Sequence, residues 1–71
     1  MTEFIEFIVR RYEFGVPEIE LRKVEAQNEH EAAEKACGVS LTASQRPRMY
    51  LRADVRTVQT MNDHHHFYAV D

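Results

Sequence analysis

Apolar side chains are concentrated in two segments near the N-terminus, and a short break separates them. Glu3 to Phe14 is rich in Phe, Ile, Val and Tyr and contains neither Gly nor Pro, which is typical of a β-strand. Gly15-Val16-Pro17 interrupts this segment, because Gly permits positive φ and Pro fixes its own φ and lacks an amide hydrogen. A second strand is predicted from Ile19 to Ala26. The short connection makes the two strands an antiparallel hairpin.

The apolar residues of this hairpin predict one register, since directly opposed residues share a face of the sheet. The apolar positions change parity midway along both strands. Either paired bulges or strong twist turn all eight apolar side chains to one face of the sheet, or the four at the hairpin tip lie on the face opposite the core. The four tip residues are Tyr12, Phe14, Ile19 and Leu21. In the second case a partner or a second copy has to cover the tip. The best hydrophobic match consists of four pairs: Phe14 with Ile19, Tyr12 with Leu21, Val9 with Val24, and Phe7 with Ala26.

A helix is predicted from Glu29 to Cys37. Asn28 and Glu31 have the spacing of a capping box, in which the Asn28 side chain accepts from the Glu31 amide and the Glu31 side chain reaches back. Gly38 supplies the C-terminal stop, and Glu31 and Lys35 are spaced as a favourable i,i+4 pair. Small side chains on one arc indicate that the helix lies close against a sheet. These are Ala32, Ala33, Ala36 and Cys37.

The second half of the chain predicts another hairpin. Its strands run from Arg48 to Val58 and from His65 to Val70, with a turn at Asn62-Asp63. A turn there predicts two cross-strand pairs, Val58 with Phe67 and Val55 with Val70. Alternate side chains of the first of these strands are apolar and are expected to face the core: Met49, Leu51, Ala53 and Val55.

The element order β-β-α-β-β predicts an α+β fold. A four-stranded antiparallel sheet with the helix packed on one face buries the most apolar area with short connections. A chain of 71 residues and 8.4 kDa fits one domain, residues 1–71. The other face of the sheet stays open unless a second copy covers it.

Charge and cysteine usage narrow the function classes. The net charge is −3, divided into −4 for residues 1–36 and +1 for residues 37–71. A domain this acidic is not a general DNA binder, because phosphate neutralisation needs clustered positive charge. The sequence shows no transmembrane or signal segment, so no membrane partner is expected. With a single thiol, Cys37, the chain has no internal disulfide and is expected in the cytoplasm, or in the host cytoplasm if it is phage-encoded.

The titratable residues do not form a catalytic or metal-binding pattern. His64-His65-His66 suggests a metal site, but in a strand only His64 and His66 share a face, and no spacing supplies a third ligand. Cys37 stands at a helix C-terminus, where the dipole disfavours a thiolate, so a small buried apolar role is favoured over a nucleophile. No phosphate loop, paired-carboxylate motif or hydrolase signature is present. We therefore expect no enzyme activity, no cofactor and no metal.

Arginine and aromatic residues along the third strand form the most informative pattern. Arginines beside aromatics anchor protein interfaces, and on an open sheet they also suit phosphate contact and base stacking. A solvated polar face is the third interpretation. Together with the hairpin tip, the predicted partner-binding residues are Arg48, Tyr50, Arg52, Arg56, His65, Phe67, Tyr12 and Phe14.

The segment from Val24 to Ala36, VEAQNEHEAAEKA, resembles the strand and alanine-faced helix of small bacterial and phage proteins, including some type I anti-CRISPR proteins. That resemblance implies a compact inhibitor that sterically blocks a larger protein or nucleoprotein complex, and it identifies no functional residue. The leading hypothesis is therefore a non-enzymatic binding protein of this inhibitor type. The alternatives are a nucleic-acid-binding module that uses the same arginines and a homodimeric structural subunit.

Overall fold

The computed structural model describes residues 3–44, 47–59 and 65–70, and it confirms the predicted α+β fold. The element order is β-β-α-β-β, and the strands form one antiparallel sheet in the order β2-β1-β3-β4. The helix lies across one face of this sheet. The elements are β1 (Ile5–Glu13), β2 (Glu20–Ala26), α1 (Glu29–Cys37), β3 (Met49–Thr57) and β4 (His65–Val70).

The core lies between the helix and the sheet. The helix contributes only small side chains to it, and the strands and the connector contribute the large ones. This division lets α1 approach the sheet closely, as its alanine arc predicts. The helical core residues are Ala32, Ala33 and Ala36, and the large ones from the rest of the chain are Phe7, Val9, Leu41, Leu51, Val55 and Phe67.

Both ends of α1 follow the predicted capping pattern in part. The Asn28 side chain accepts a hydrogen bond from the Glu31 amide at 2.8 Å. Gly38 closes the helix with φ of 72°, a left-handed conformation that favours glycine, and its amide donates to the Glu34 carbonyl. The Glu31 carboxylate pairs with Lys35 at 3.5 Å, so the i,i+4 pair is confirmed.

The predicted register of the first hairpin is wrong by two residues. Phe7 lies opposite Val24, and Val9 lies opposite Arg22. The strands end at Glu13 and Glu20, and the connection is six residues long because the Phe14 amide bonds to the Tyr50 carbonyl of β3 instead of pairing within the hairpin. A shift of two residues leaves every side chain on the same face.

The β1–β2 ladder has no bulge, and this decides between the two alternatives for the hairpin tip. Regular alternation puts Phe7 and Val9 on the helix side of the sheet and Tyr12 on the opposite side. Phe7 and Val9 are buried, whereas Leu21 is exposed. The tip therefore shows its apolar side chains away from the core, and bulges do not bring them inward.

The predicted register of the second hairpin is also wrong, and here the error places the side chains of β4 on the wrong faces of the sheet. Ala53 lies opposite Phe67 and Val55 lies opposite His65, so Val55 does not pair with Val70 and Phe67 does not pair with Val58. Phe67 is consequently on the helix side and only 8% exposed. The predicted turn at Asn62-Asp63 lies outside the described residues. The connection between β3 and β4 spans residues 58–64, longer than a tight turn requires.

The connector between α1 and β3 is tied to both layers. The His30 imidazole donates from Nε2 to the Leu41 carbonyl at 2.6 Å and stacks on Phe67, with ring centroids 5.2 Å apart. The Leu41 amide donates to the Glu34 carboxylate at 3.0 Å. Thr42 bridges to Tyr68 of β4. In the described part of the chain, no helix is long and apolar enough to cross a bilayer.

Candidate functional site

The face of the sheet opposite α1, called the open face below, carries the side chains available for binding. The register of the two central strands, β1 and β3, places Tyr12 beside Arg52, Arg10 beside Asp54 and Ile8 beside Arg56. The outer strands extend these rows, since Leu21 pairs with Arg10, Tyr68 with Arg52 and His66 with Asp54. The open face therefore mixes arginine, tyrosine and apolar residues. Its strand residues between β2 and β4 are Glu6, Ile8, Arg10, Tyr12, Leu21, Lys23, Glu25, Tyr50, Arg52, Asp54, Arg56, His66 and Tyr68.

Asp54 is the most constrained polar side chain of the open face. It is buried, and Arg52 donates two hydrogen bonds to its oxygens, from Nε at 2.8 Å and from Nη2 at 2.9 Å. His66 donates from Nδ1 to the same carboxylate at 2.6 Å. Burial raises the pKa of Asp54, but the bonds from Arg52 and His66 outweigh it and hold that pKa below its ordinary value. Asp54 is therefore ionised at neutral pH and holds both the Arg52 guanidinium and the His66 ring in place.

This fixed carboxylate determines where Arg52 points. The guanidinium lies over the Tyr12 ring, 5.3 Å from its centroid, while it bonds to Asp54. The hydrogen bond to Asp54 raises the pKa of Arg52 above its ordinary value. Tyr68 flanks Arg52 on the other strand. Arg52 is thus a preorganised aromatic-stacked cation, about half exposed, which loses little conformational freedom when a partner contacts it.

Beside Arg52, the end of the first hairpin encloses a groove of about 640 Å³. The groove, called the tip groove below, has aromatic and apolar walls with Arg52 and the carboxylates of the loop at its rim. Gly15, with φ of 86°, and the bond from the Val16 amide to the Glu13 carbonyl turn the loop that closes one side. The lining residues used below are Tyr12, Phe14, Ile19, Met49, Arg52 and Tyr68.

The apolar side chains at the tip are unusually exposed. Phe14 is 68% exposed, Ile19 is 54% and Leu21 is 59%. Phe14 and Ile19 both line the tip groove, and Leu21 lies two residues beyond Ile19 on β2. Exposed apolar side chains grouped at one end of a fold mark interaction sites. On the helix side, the same end of the hairpin carries ion pairs, with Arg11 3.1 Å from Glu13 and 3.7 Å from Glu20.

The open face has nearly balanced charges. Its described strand residues contribute four cations, Arg10, Lys23, Arg52 and Arg56, against three carboxylates, Glu6, Glu25 and Asp54. The resulting excess is a single positive charge. Three further carboxylates, Glu29, Glu31 and Glu34, lie on α1, on the other side of the sheet.

The remaining candidate chemistry does not assemble into a site. Among residues 3–44, 47–59 and 65–70, no group of three His, Cys, Asp or Glu side chains is placed to hold a metal ion. His65 lies on the helix side, 3.8 Å from Glu29, and His64 lies outside the described residues. Burial raises the pKa of the Cys37 thiol, which makes it a weak nucleophile.

The structure brings together part of the predicted partner-binding set. Tyr12, Phe14 and Arg52 meet at the tip groove, and Tyr50 and Arg56 lie on the open face. Arg48 is exposed but lies in the turn that precedes β3. The prediction that His65 and Phe67 join the arginines is wrong, because the β3–β4 register puts both on the helix side.

Sequence reasoning missed the residues that replace them. Tyr68 and His66 occupy the positions on β4 that were assigned to Phe67 and His65, and Asp54 organises the cluster. The signal for Asp54 was available, because a lone carboxylate among alternating arginines on one strand is placed to bind one of them. No family model, curated protein or solved structure matches the chain. The resemblance to small phage inhibitors stays a prediction.

Proposed function

We propose that this chain is a non-enzymatic, cytoplasmic binding protein that docks on another protein through the tip groove and the adjoining open face. The observation that carries the proposal is the exposed apolar patch of Phe14, Ile19 and Leu21 beside the preorganised Arg52. Apolar side chains with a stacked arginine and tyrosines have the composition of protein interface centres. A target that presents an apolar side chain next to a carboxylate or a carbonyl oxygen suits this groove.

Two features favour protein over phosphate as the ligand. The Arg52 guanidinium already bonds to Asp54 through two nitrogens, which leaves less of it for a phosphate. Phosphate recognition also gains nothing from three exposed aliphatic and aromatic side chains at the tip. Steric inhibition of a larger complex, the role that the resemblance implies, requires such a docking patch and no reaction.

The test is site-specific photocrosslinking in the native cell. A photoreactive amino acid at Phe14 is expected to crosslink to one defined target protein. The matched control carries the same amino acid at Val39, which is exposed but lies just beyond the end of α1, outside the tip groove. A target that is captured from both positions equally, or from neither, would refute docking through the tip.

A second pair of variants distinguishes binding through the groove from non-specific binding. Tyr12→Ala removes the ring on which Arg52 rests, and Val39→Ala truncates an exposed apolar side chain that does not line the groove. With the target in hand, we expect Tyr12→Ala to weaken binding about tenfold or more, as hot-spot aromatics do. Val39→Ala should bind within about twofold of the parent chain. Equal losses of affinity for both variants would contradict a role for the groove.

Nucleic-acid binding is the second candidate, and the observation that favours it is the row of cations on the open face, including Arg10, Lys23 and Arg56. Tyr50 and Tyr68 provide stacking surfaces on the same face. Retention on single-stranded RNA or DNA that falls steeply with salt would support this candidate. Retention that does not respond to salt, or no retention at low salt, would exclude it.

A further inference from the structure

The free edge of β2 differs from the other edge of the sheet. β4 is partly covered, because Thr42 and Tyr68 exchange two backbone hydrogen bonds at 2.8 and 2.7 Å. β2 has seven residues, and in the described part of the chain no backbone group pairs with its outer side. An uncovered edge strand is a template for another strand.

The alternation of backbone hydrogen bonds along β1 identifies which N–H and C=O groups of β2 point away from the sheet. The Glu6 carbonyl accepts from Val58 and the Phe14 amide donates to Tyr50, so even-numbered residues of β1 bond to β3. In an antiparallel strand the two sides alternate, so odd-numbered residues of β1 bond to β2. Their partners on β2 are Glu20, Arg22, Val24 and Ala26.

The backbone groups of Leu21, Lys23 and Glu25 therefore point away from the sheet. An independent contact agrees with this phase, since Lys35 reaches over the edge and its Nζ donates to the Glu25 carbonyl at 3.0 Å. The same ammonium lies 3.5 Å from Glu31. A backbone amide of an incoming strand can therefore take the place of the exposed Lys35 side chain as the donor to the Glu25 carbonyl.

We infer that β2 pairs with β2 of a second copy of this chain, in antiparallel orientation, with Val24 facing Val24 at the two-fold axis. In a symmetric antiparallel pair only registers that oppose outward residues to outward residues can form hydrogen bonds. A register centred on residue 23 opposes two lysines, one centred on residue 22 opposes two arginines, and one centred on residue 25 opposes two glutamates.

The register centred on Val24 has complementary charges. It opposes Lys23 to Glu25 twice, once on each side of the axis, and these two residues are among those whose backbone groups point outward. Lys23 and Glu25 also share the open face, so their side chains meet across the new strand pair. Val24, which packs against the core on the helix side, meets its copy without placing a charge at the axis.

The resulting dimer is a continuous eight-stranded sheet. Because opposed residues share a face, both helices lie on one side and both tip grooves lie on the other. The tip groove is built from β1, β3, β4 and the loop of one copy, so strand pairing at β2 leaves its aromatic wall in place. The dimer would present two grooves to the same surface, which raises avidity for a repeated or symmetric target.

Charge reversal tests this register directly. Lys23→Glu and Glu25→Lys each convert two attractive pairs into two repulsive ones, and each is expected to raise the dimer dissociation constant about tenfold or more. The double variant Lys23→Glu/Glu25→Lys restores opposite charges and should recover the dimer. Glu18→Lys, a charge change of the same size in the exposed hairpin loop, is the matched control and should remain dimeric. Sedimentation velocity gives the mass, and far-UV circular dichroism confirms that each variant is folded.

Disulfide trapping gives a second measurement of the same contact. In a Cys37→Ser background, Val24→Cys places two thiols at a non-hydrogen-bonded pair, where Cα atoms are about 4.5 Å apart and a disulfide can form. Arg22→Cys is the control, because its two copies are separated by about 13 Å along the strands. Rapid oxidation of the Val24→Cys chain alone supports the register.

Four results would overturn the inference. These are a parent chain that stays monomeric up to millimolar concentration, a dimer that survives both single reversals, a folded double variant that stays monomeric, or Arg22→Cys chains that crosslink as fast as Val24→Cys chains. None of these results bears on the tip groove, so they leave the proposed docking function to its own test.

Discussion

Truncation of Phe67 to alanine tests the assignment of faces on which the binding site depends. Phe67 is 8% exposed, packs within the core and stacks on His30. Removing a buried Phe side chain costs about 3–5 kcal/mol of unfolding free energy, because apolar contacts are lost and a cavity is left. A chain of this size has a total stability of about 4–10 kcal/mol. The variant should therefore be close to unfolding at room temperature.

The matched control is Phe14→Ala, the same chemical change at the exposed hairpin tip. Its effect should stay within about 0.5 kcal/mol, as for other surface substitutions. Each kcal/mol shifts Tm by about 4–8 °C in a domain of this length, so Phe67→Ala should lower Tm by at least about 12 °C while Phe14→Ala shifts it by only a few degrees.

Urea titration followed by far-UV circular dichroism is the appropriate assay, since the chain contains no tryptophan. Equal midpoints for Phe67→Ala and Phe14→Ala would show that Phe67 lies outside the core. The β3–β4 register would then be wrong, and Phe67 would belong to the open face in place of Tyr68. The membership of the candidate site would have to be redrawn.

Three further predictions follow from single contacts. Asn28→Ala removes the helix cap and should cost about 1 kcal/mol in a urea titration, and an unchanged midpoint would argue against the capping bond. Asp54→Asn should flatten the loss of stability in acid: the folded-state pKa of Asp54 lies below its unfolded value of about 3.9, so its stabilisation is present above that value and is lost as pH falls through the folded pKa. A parent chain and variant with the same pH profile would refute this. Cys37 should react slowly with a disulfide reagent at neutral pH and much faster in urea, because burial raises its pKa. Equal rates would contradict that burial.

The helix and the element order could be predicted because their signals are local. Asn28 and Gly38 mark the two ends of α1 by their own backbone preferences, and the structure begins and ends the helix at the predicted residues. The strands β1 and β3 differ from their predicted bounds by no more than two residues. Alternation along β3 correctly separates Leu51, Ala53 and Val55 from Arg52. Its assignment of Met49 to the core is wrong, because the β3–β4 register shifts between Met49 and Leu51 and Met49 lines the tip groove.

The registers could not be predicted from hydrophobic matching, because loops and non-local partners set them. Apolar character pairs Phe14 with Ile19, but the Phe14 amide donates to the Tyr50 carbonyl of β3, and this ends the hairpin earlier. For β4, the sequence does not determine how many residues the connection from β3 takes, so it does not determine which alternate residues face the core. A shift of the register by one residue exchanges the two sets of side chains between the faces. Core complementarity decides it, since Phe67 fits opposite the small Ala53 and under His30.

The central position of β1 has a consequence for synthesis on the ribosome. Its first neighbour, β2, follows within a few residues, but its second neighbour is β3, and Phe7 pairs with Thr57 fifty positions later in the chain. Until that distant segment has emerged, the nascent hairpin and helix leave the β3-facing edge of β1 unpaired and core residues such as Phe7 and Val9 without their partners from β3. Closure of this long loop is therefore expected to set the folding speed, and the partly synthesised chain exposes apolar surface of the kind that chaperones bind.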